Sequence, residues 1–117
     1  MLDADLTWYG AAPADRERPA LPSLGTTAKL LGAMYVIEGS ALGGQVIARH
    51  LERILTLDPG HGNAYFRGFE KLTGPVWLEF CDVIERTIAG KDSEEVISSA
   101  REMFAIFEAW MLHFDVR

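Results

Sequence analysis

The chain has one cysteine, no excess of positive charge and no unbroken apolar run of membrane length. Each shortage excludes something. A lone Cys81 cannot form a disulfide within the chain, and its neighbours Trp77, Phe80 and Ile84 make it an ordinary buried thiol. Eleven basic residues against 17 acidic ones leave a net charge of -6, without the basic stripe of a nucleic-acid-binding surface. No apolar run approaches the ~20 residues that cross a bilayer. The opening residues, Met1-Leu2-Asp3-Ala4-Asp5, are acidic where a secretory signal is basic. These readings predict a cytoplasmic protein with neither nucleic acid nor membrane as partner. Also missing are Cys-x-x-Cys, His-Glu-x-x-His, Gly-x-Ser-x-Gly and a phosphate-binding glycine loop. No strand-like alternation is found either, which leaves an all-α fold.

A length of 117 residues and an apolar fraction of 49% describe one globular domain. Residues 2–9 read as the end of a helix stopped by Gly10, with Leu2, Leu6 and Tyr9 on one face. A loop with Pro13, Pro19 and Pro22 completes the span 1–25. A long helix is predicted over 26–57, with Thr26 or Thr27 as N-cap and a bend at Gly39–Gly44. Asp58-Pro59-Gly60-His61-Gly62-Asn63 is a stop and turn. The span 64–89 starts with a short helical piece, Ala64 to Lys71. Its main helix then opens near Pro75, buries Val76, Trp77, Phe80, Val83, Ile84 and Ile88, and is capped by Gly90. The last helix, 92–114, begins with a capping box of Asp92 and Glu95. Its apolar stripe is Val96, Ala100, Met103, Phe104, Phe107, Trp110 and Met111.

Glycine is what the chain has in an unexpected place. Gly32, Gly39, Gly43 and Gly44 fall inside the long helix, where each sacrifices about 1 kcal/mol of helicity relative to alanine. At 100° per residue, the first three lie within about 40° of one another on the helical wheel. Such a strip of bare backbone admits a flat body or another helix at close range.

The run Tyr35-Val36-Ile37-Glu38-Gly39-Ser40-Ala41-Leu42-Gly43-Gly44-Gln45-Val46-Ile47-Ala48-Arg49-His50-Leu51 resembles the distal helix of haem oxygenases. It is most similar to the bacterial, biliverdin-producing branch often associated with bacteriophytochromes. Leu31-Gly32-Ala33-Met34-Tyr35, Thr73-Gly74 and the aromatic last helix extend the likeness. The resemblance implies a haem-oxygenase-like helical bundle that lacks its N-terminal, proximal helices, so that 1–117 is a single partial domain. It also implies oxidative cleavage of haem to biliverdin, carbon monoxide and iron, using O2 and an external electron donor such as a ferredoxin-like reductant. Gly39, Gly43, Gly44 and Phe104 would then contact haem. Ser40, which stands where some members carry aspartate and other bacterial members serine, would join the distal polar network.

The proximal helix with its axial histidine has no counterpart, which leaves His50 and His113 as weak candidates for iron ligation and His61 in an exposed turn. Arg49 and Arg53 could meet propionates or simply face solvent. An alternative is a truncated, non-catalytic haem-binding or self-associating module derived from haem oxygenase. An apolar face left by missing helices would favour a homodimer. A third reading is a relative in the same helical superfamily that acts on a different small molecule.

Overall fold

The computed structural model describes residues 1–12 and 17–113. Pro13 and the expected end of the last helix at residue 114 lie outside that range. All regular elements among the described residues are helical: α1 (Leu2–Trp8), α2 (Thr27–Leu55), α3 (Ala64–Arg67), α4 (Thr73–Thr87) and α5 (Ser93–His113). Short 3-10 turns, Glu70–Leu72 and Gly90–Asp92, precede α4 and α5. The predicted all-α class is observed.

Local chemistry accounts for most boundaries. Gly10, at φ 71°, ends α1 in a Schellman arrangement, its N–H donating to the Thr7 carbonyl and that of Ala11 to the Leu6 carbonyl. The α2 N-terminus is capped by Thr26, whose Oγ1 accepts from the Lys29 N–H at 3.1 Å. Helical structure is continuous from Thr27 to Leu55 through all four glycines, and Thr56 closes the helix in the left-handed region at φ 52°. The short piece predicted over Ala64–Lys71 stops at Arg67, because Gly68 (φ 55°) and Glu70 (φ 57°) leave the helical region. Gly90 is not the cap of α4. That helix ends at Thr87, Ala89 is extended, and Gly90 opens the next 3-10 turn.

The chain divides into two compact units. One comprises residues 1–16 and 39–78, the other 17–38 and 79–117. In the first, α1 turns Asp5 inward, while Leu2 and Tyr9 of its predicted apolar face are exposed. Asp5 accepts from the Ala64 N–H (2.7 Å) and the Tyr65 N–H (2.9 Å), capping α3 from 59 residues away. Trp8 stacks on His61, with ring centroids 5.4 Å apart, and a Cβ on Gly62 would lie 2.6 Å from the Trp8 ring. Asn63, fully buried, accepts from the Gly60 N–H and donates to the Ala48 carbonyl.

The second unit pairs the start of α2 with α5. Ser99 donates to the Lys29 carbonyl at 2.6 Å, and Ala28, Leu31 and Ala33 are buried. At Gly32 a Cβ would come within 2.7 Å of the Ser99 Cβ, so that glycine serves a helix crossing. The α5 stripe is only partly realised: Val96, Ala100, Met103 and Trp110 are half-buried, while Phe104, Phe107 and Met111 are exposed. On α4, Val83 is also exposed.

By length and composition α2 meets the requirement for crossing a membrane. Glu38, Arg49 and Glu52 interrupt it, however, and Glu52 is tied to Arg67. Charges on such a helix are costly in hydrocarbon.

Candidate functional site

Within the first unit the two sides of α2 are built differently. Residues 100° apart place Ala41, Gly44, Gln45, Ala48 and Glu52 on one side, and Gly43, Val46, Ile47, His50 and Ile54 on the other. The first side packs. A Cβ on Gly44 would lie 2.8 Å from the Phe66 carbonyl oxygen, so only glycine lets α3 come this close. Ala48 is buried beneath Asn63. The Gln45 amide nitrogen donates to the Arg67 carbonyl and, at 3.3 Å, to Thr73 Oγ1. Thr73 Oγ1 in turn accepts from the Phe69 N–H at 3.2 Å.

Below Gln45, Glu52 receives a two-pronged hydrogen bond from Arg67, at 2.6 Å from Nε and 3.0 Å from Nη2. Arg67 also reaches Glu70 at 3.1 Å. The Arg67 hydrogen bonds, then that of Asn63, hold the Glu52 carboxyl below the ordinary carboxylate value, and Glu52 raises the Arg67 guanidinium in return.

The opposite side is open. Val46 is 61% exposed, Leu42, Ile47 and Ile54 are also exposed, and a Cβ on Gly43 would meet nothing within 4 Å among the described residues. Gly39 lies between the two cases: Trp77 ring atoms stand 3.3–3.4 Å from where its Cβ would be. Ser40, three residues before Gly43, is exposed.

The single strip expected of Gly32, Gly39 and Gly43 is therefore divided by use. Gly32 and Gly44 meet the protein's own backbone, Gly39 meets an indole, and Gly43 presents bare peptide outward. At Gly44 the close approach is made by α3.

The remaining predicted residues stand as follows. His50 is exposed beside Gly43's face, and its Nδ1 accepts from Arg53 Nη2 at 3.0 Å. A guanidinium only donates, so Nδ1 is the accepting atom of this pair. Ligation of a metal through Nδ1 would first have to break that hydrogen bond. His113 stacks on Trp110, with centroids 5.8 Å apart. It and Phe104, which is 54% exposed, belong to α5 in the second unit. An open cleft of about 390 Å³ at the start of α2 is lined by Thr26, Thr27, Ala28, Thr87, Ile88, Asp92 and Glu95, none of them a predicted site residue.

Sequence comparison decides the family. The Heme oxygenase family model matches residues 10–113. The chain belongs to the haem oxygenase family. Among curated proteins, a "Heme oxygenase" of Xanthomonas campestris pv. campestris (strain 8004) is 37% identical over 110 residues. That alignment covers 91% of this chain and 62% of the relative, so the chain spans less than two thirds of the length of this haem oxygenase. No solved structure gives a significant match. Gln45 inside the haem oxygenase motif, and Trp77 and Asp5 outside it, have structural roles that the sequence alone did not assign. A lone polar side chain among Ala41, Gly44 and Ala48 was the available sign for Gln45.

Proposed function

We propose that this chain is haem-oxygenase-like in function and holds haem against the open face of α2 in the first unit. The observation that carries the reading is Gly43: bare backbone, with no atom of the described residues near its missing Cβ, on an exposed apolar helix face whose other side is tied down. A porphyrin needs such a surface, because apolar side chains cover its plane and a glycine admits it to the peptide. Leu42, Val46 and Ile47 would supply the apolar contact, and Gly39, beside the Trp77 ring, would extend the strip.

When bound, haem supplies the oxygen chemistry that opens its own ring, with O2 and an external, ferredoxin-like electron donor, to give biliverdin, carbon monoxide and iron. The protein's part is to bind and orient. Ser40 would place a hydroxyl beside the bound face, and Arg49 is a donor for a propionate. Gly44 serves from behind, by letting α3 brace the helix.

The experiment is turnover. Protein mixed with haemin, a reductant and O2 should lose its Soret band as biliverdin absorbance grows. A bound spectrum that persists through repeated reduction would reject catalysis.

The exposed Leu42, Val46, Ile47 and Ile54 favour a second reading, a non-catalytic haem-binding or self-associating module. Here a homodimer would cover the apolar face. Sedimentation at several protein concentrations separates the readings, since a monomer throughout would dismiss self-association.

A further inference from the structure

We infer that Gln45 is a positioning residue that fixes how α2 presents Gly43, an inference that rests on the haem-binding reading above. Gly43 and Gly44 make this turn of α2 the least rigid by composition, each giving up about 1 kcal/mol of helicity. A ligand pressed against the open face would push this turn back or unwind it unless something holds the other side. The structure places that hold at Gln45, about 200° around the helix from Gly43. Its amide nitrogen uses both hydrogens, one to the Arg67 carbonyl and one to Thr73 Oγ1.

Both acceptors sit at the corner where α3 ends and α4 begins. Arg67 is the last residue of α3, Thr73 the first of α4, and Gly68 between them adopts φ 55°. Thr73 is buried, and its Oγ1 also accepts from the Phe69 N–H, so the hydroxyl joins α2 to the backbone of the corner. Phe66, one residue before Arg67, supplies the carbonyl that lies against Gly44. Three successive residues thus divide the work: Gly43 faces outward, Gly44 admits α3, and Gln45 ties the helix to it. Neither Met nor Glu in place of Gln45 can donate these two bonds, although both retain its length.

The test uses Gln45→Met, Thr73→Val and Thr73→Ser in the intact chain, with two readouts. The first is amide hydrogen exchange of ligand-free protein over residues 40–47. Gln45→Met should speed it by about tenfold, the scale of one lost net hydrogen bond, with residues 96–105 of α5 unaffected. The second is haemin titration, where the same variant should bind about tenfold more weakly with a displaced Soret maximum. Thr73→Val should show a smaller change in both, and Thr73→Ser, which keeps the hydroxyl, should restore wild-type behaviour.

Unchanged exchange in Gln45→Met overturns the inference, as does faster exchange with haemin affinity and Soret position unaltered. If Gln45→Met does not fold, Thr73→Val against Thr73→Ser decides. A wild-type protein that takes up no haemin rejects the haem reading and, with it, the ligand half of this inference. Exchange then still decides whether Gln45 ties the helix.

Discussion

A methyl group added at Gly44 would stand 2.8 Å from the Phe66 carbonyl oxygen, whereas one added at Gly43 would meet nothing within 4 Å among the described residues. Two adjacent glycines therefore respond oppositely to one substitution. Gly43→Ala should stabilise the fold by up to about 1 kcal/mol, since helix propensity rises and nothing is displaced. Gly44→Ala gains the same propensity but forces α2 and α3 apart, and should destabilise by about 1–3 kcal/mol. Urea denaturation of both variants is the check, and equal shifts would contradict the assignment of the two faces. The motif Gly39-Ser40-x-x-Gly43-Gly44-Gln45 was legible as a family signature. Which glycine meets protein was not, because that depends on where Phe66 arrives from 22 residues downstream.

Among the elements, α1 and α3 are too short to persist alone, and each depends on the other. Asp5 is the link, its carboxylate taking the two N–H groups that open α3. Asp5→Ala should destabilise by about 1 kcal/mol or more, the scale of a lost N-cap, and Asp5→Asn by less. A matching effect of Ala4→Gly, which leaves the carboxylate in place, would indicate general weakness of α1 rather than a lost cap. The sequence misled here for a physical reason. Periodicity marks apolar residues, and it assigned the α1 face to Leu2, Leu6 and Tyr9, whereas the buried position is a carboxylate satisfied by a distant backbone. Helix ends were more legible, because Thr26 and Gly10 act through neighbours in the chain. Gly90 was the exception, its helix having ended earlier at Thr87.

The Glu52–Arg67 pair ties α2 to the end of α3, and its contribution depends on pH in a defined direction. The folded state holds the Glu52 carboxyl below its ordinary value, so it binds that proton less readily than the unfolded chain does. The associated stability is fully present above the ordinary carboxylate value and is lost as pH falls through the lowered one. Wild type should therefore exceed Glu52→Gln in stability at neutral pH, and the gap should close in acid. Denaturation curves at several pH values test this, and a gap independent of pH would show that the ionised pair is not its source.

For the whole molecule, an all-α class and family membership followed from pattern and motif. Tertiary facts were less accessible. Phe104 and Phe107 carry an apolar pattern yet are exposed, because an apolar stripe states what a helix can bury and not what covers it. The central claim is that α2 presents bare backbone at Gly43 to a porphyrin. The most direct measurement is haemin titration of wild type beside Gly43→Leu, followed at the Soret band, with helicity confirmed by circular dichroism. The account predicts a shifted, saturating Soret band for wild type that survives desalting, and its loss in an equally helical Gly43→Leu. Equal affinity in the two proteins would contradict it.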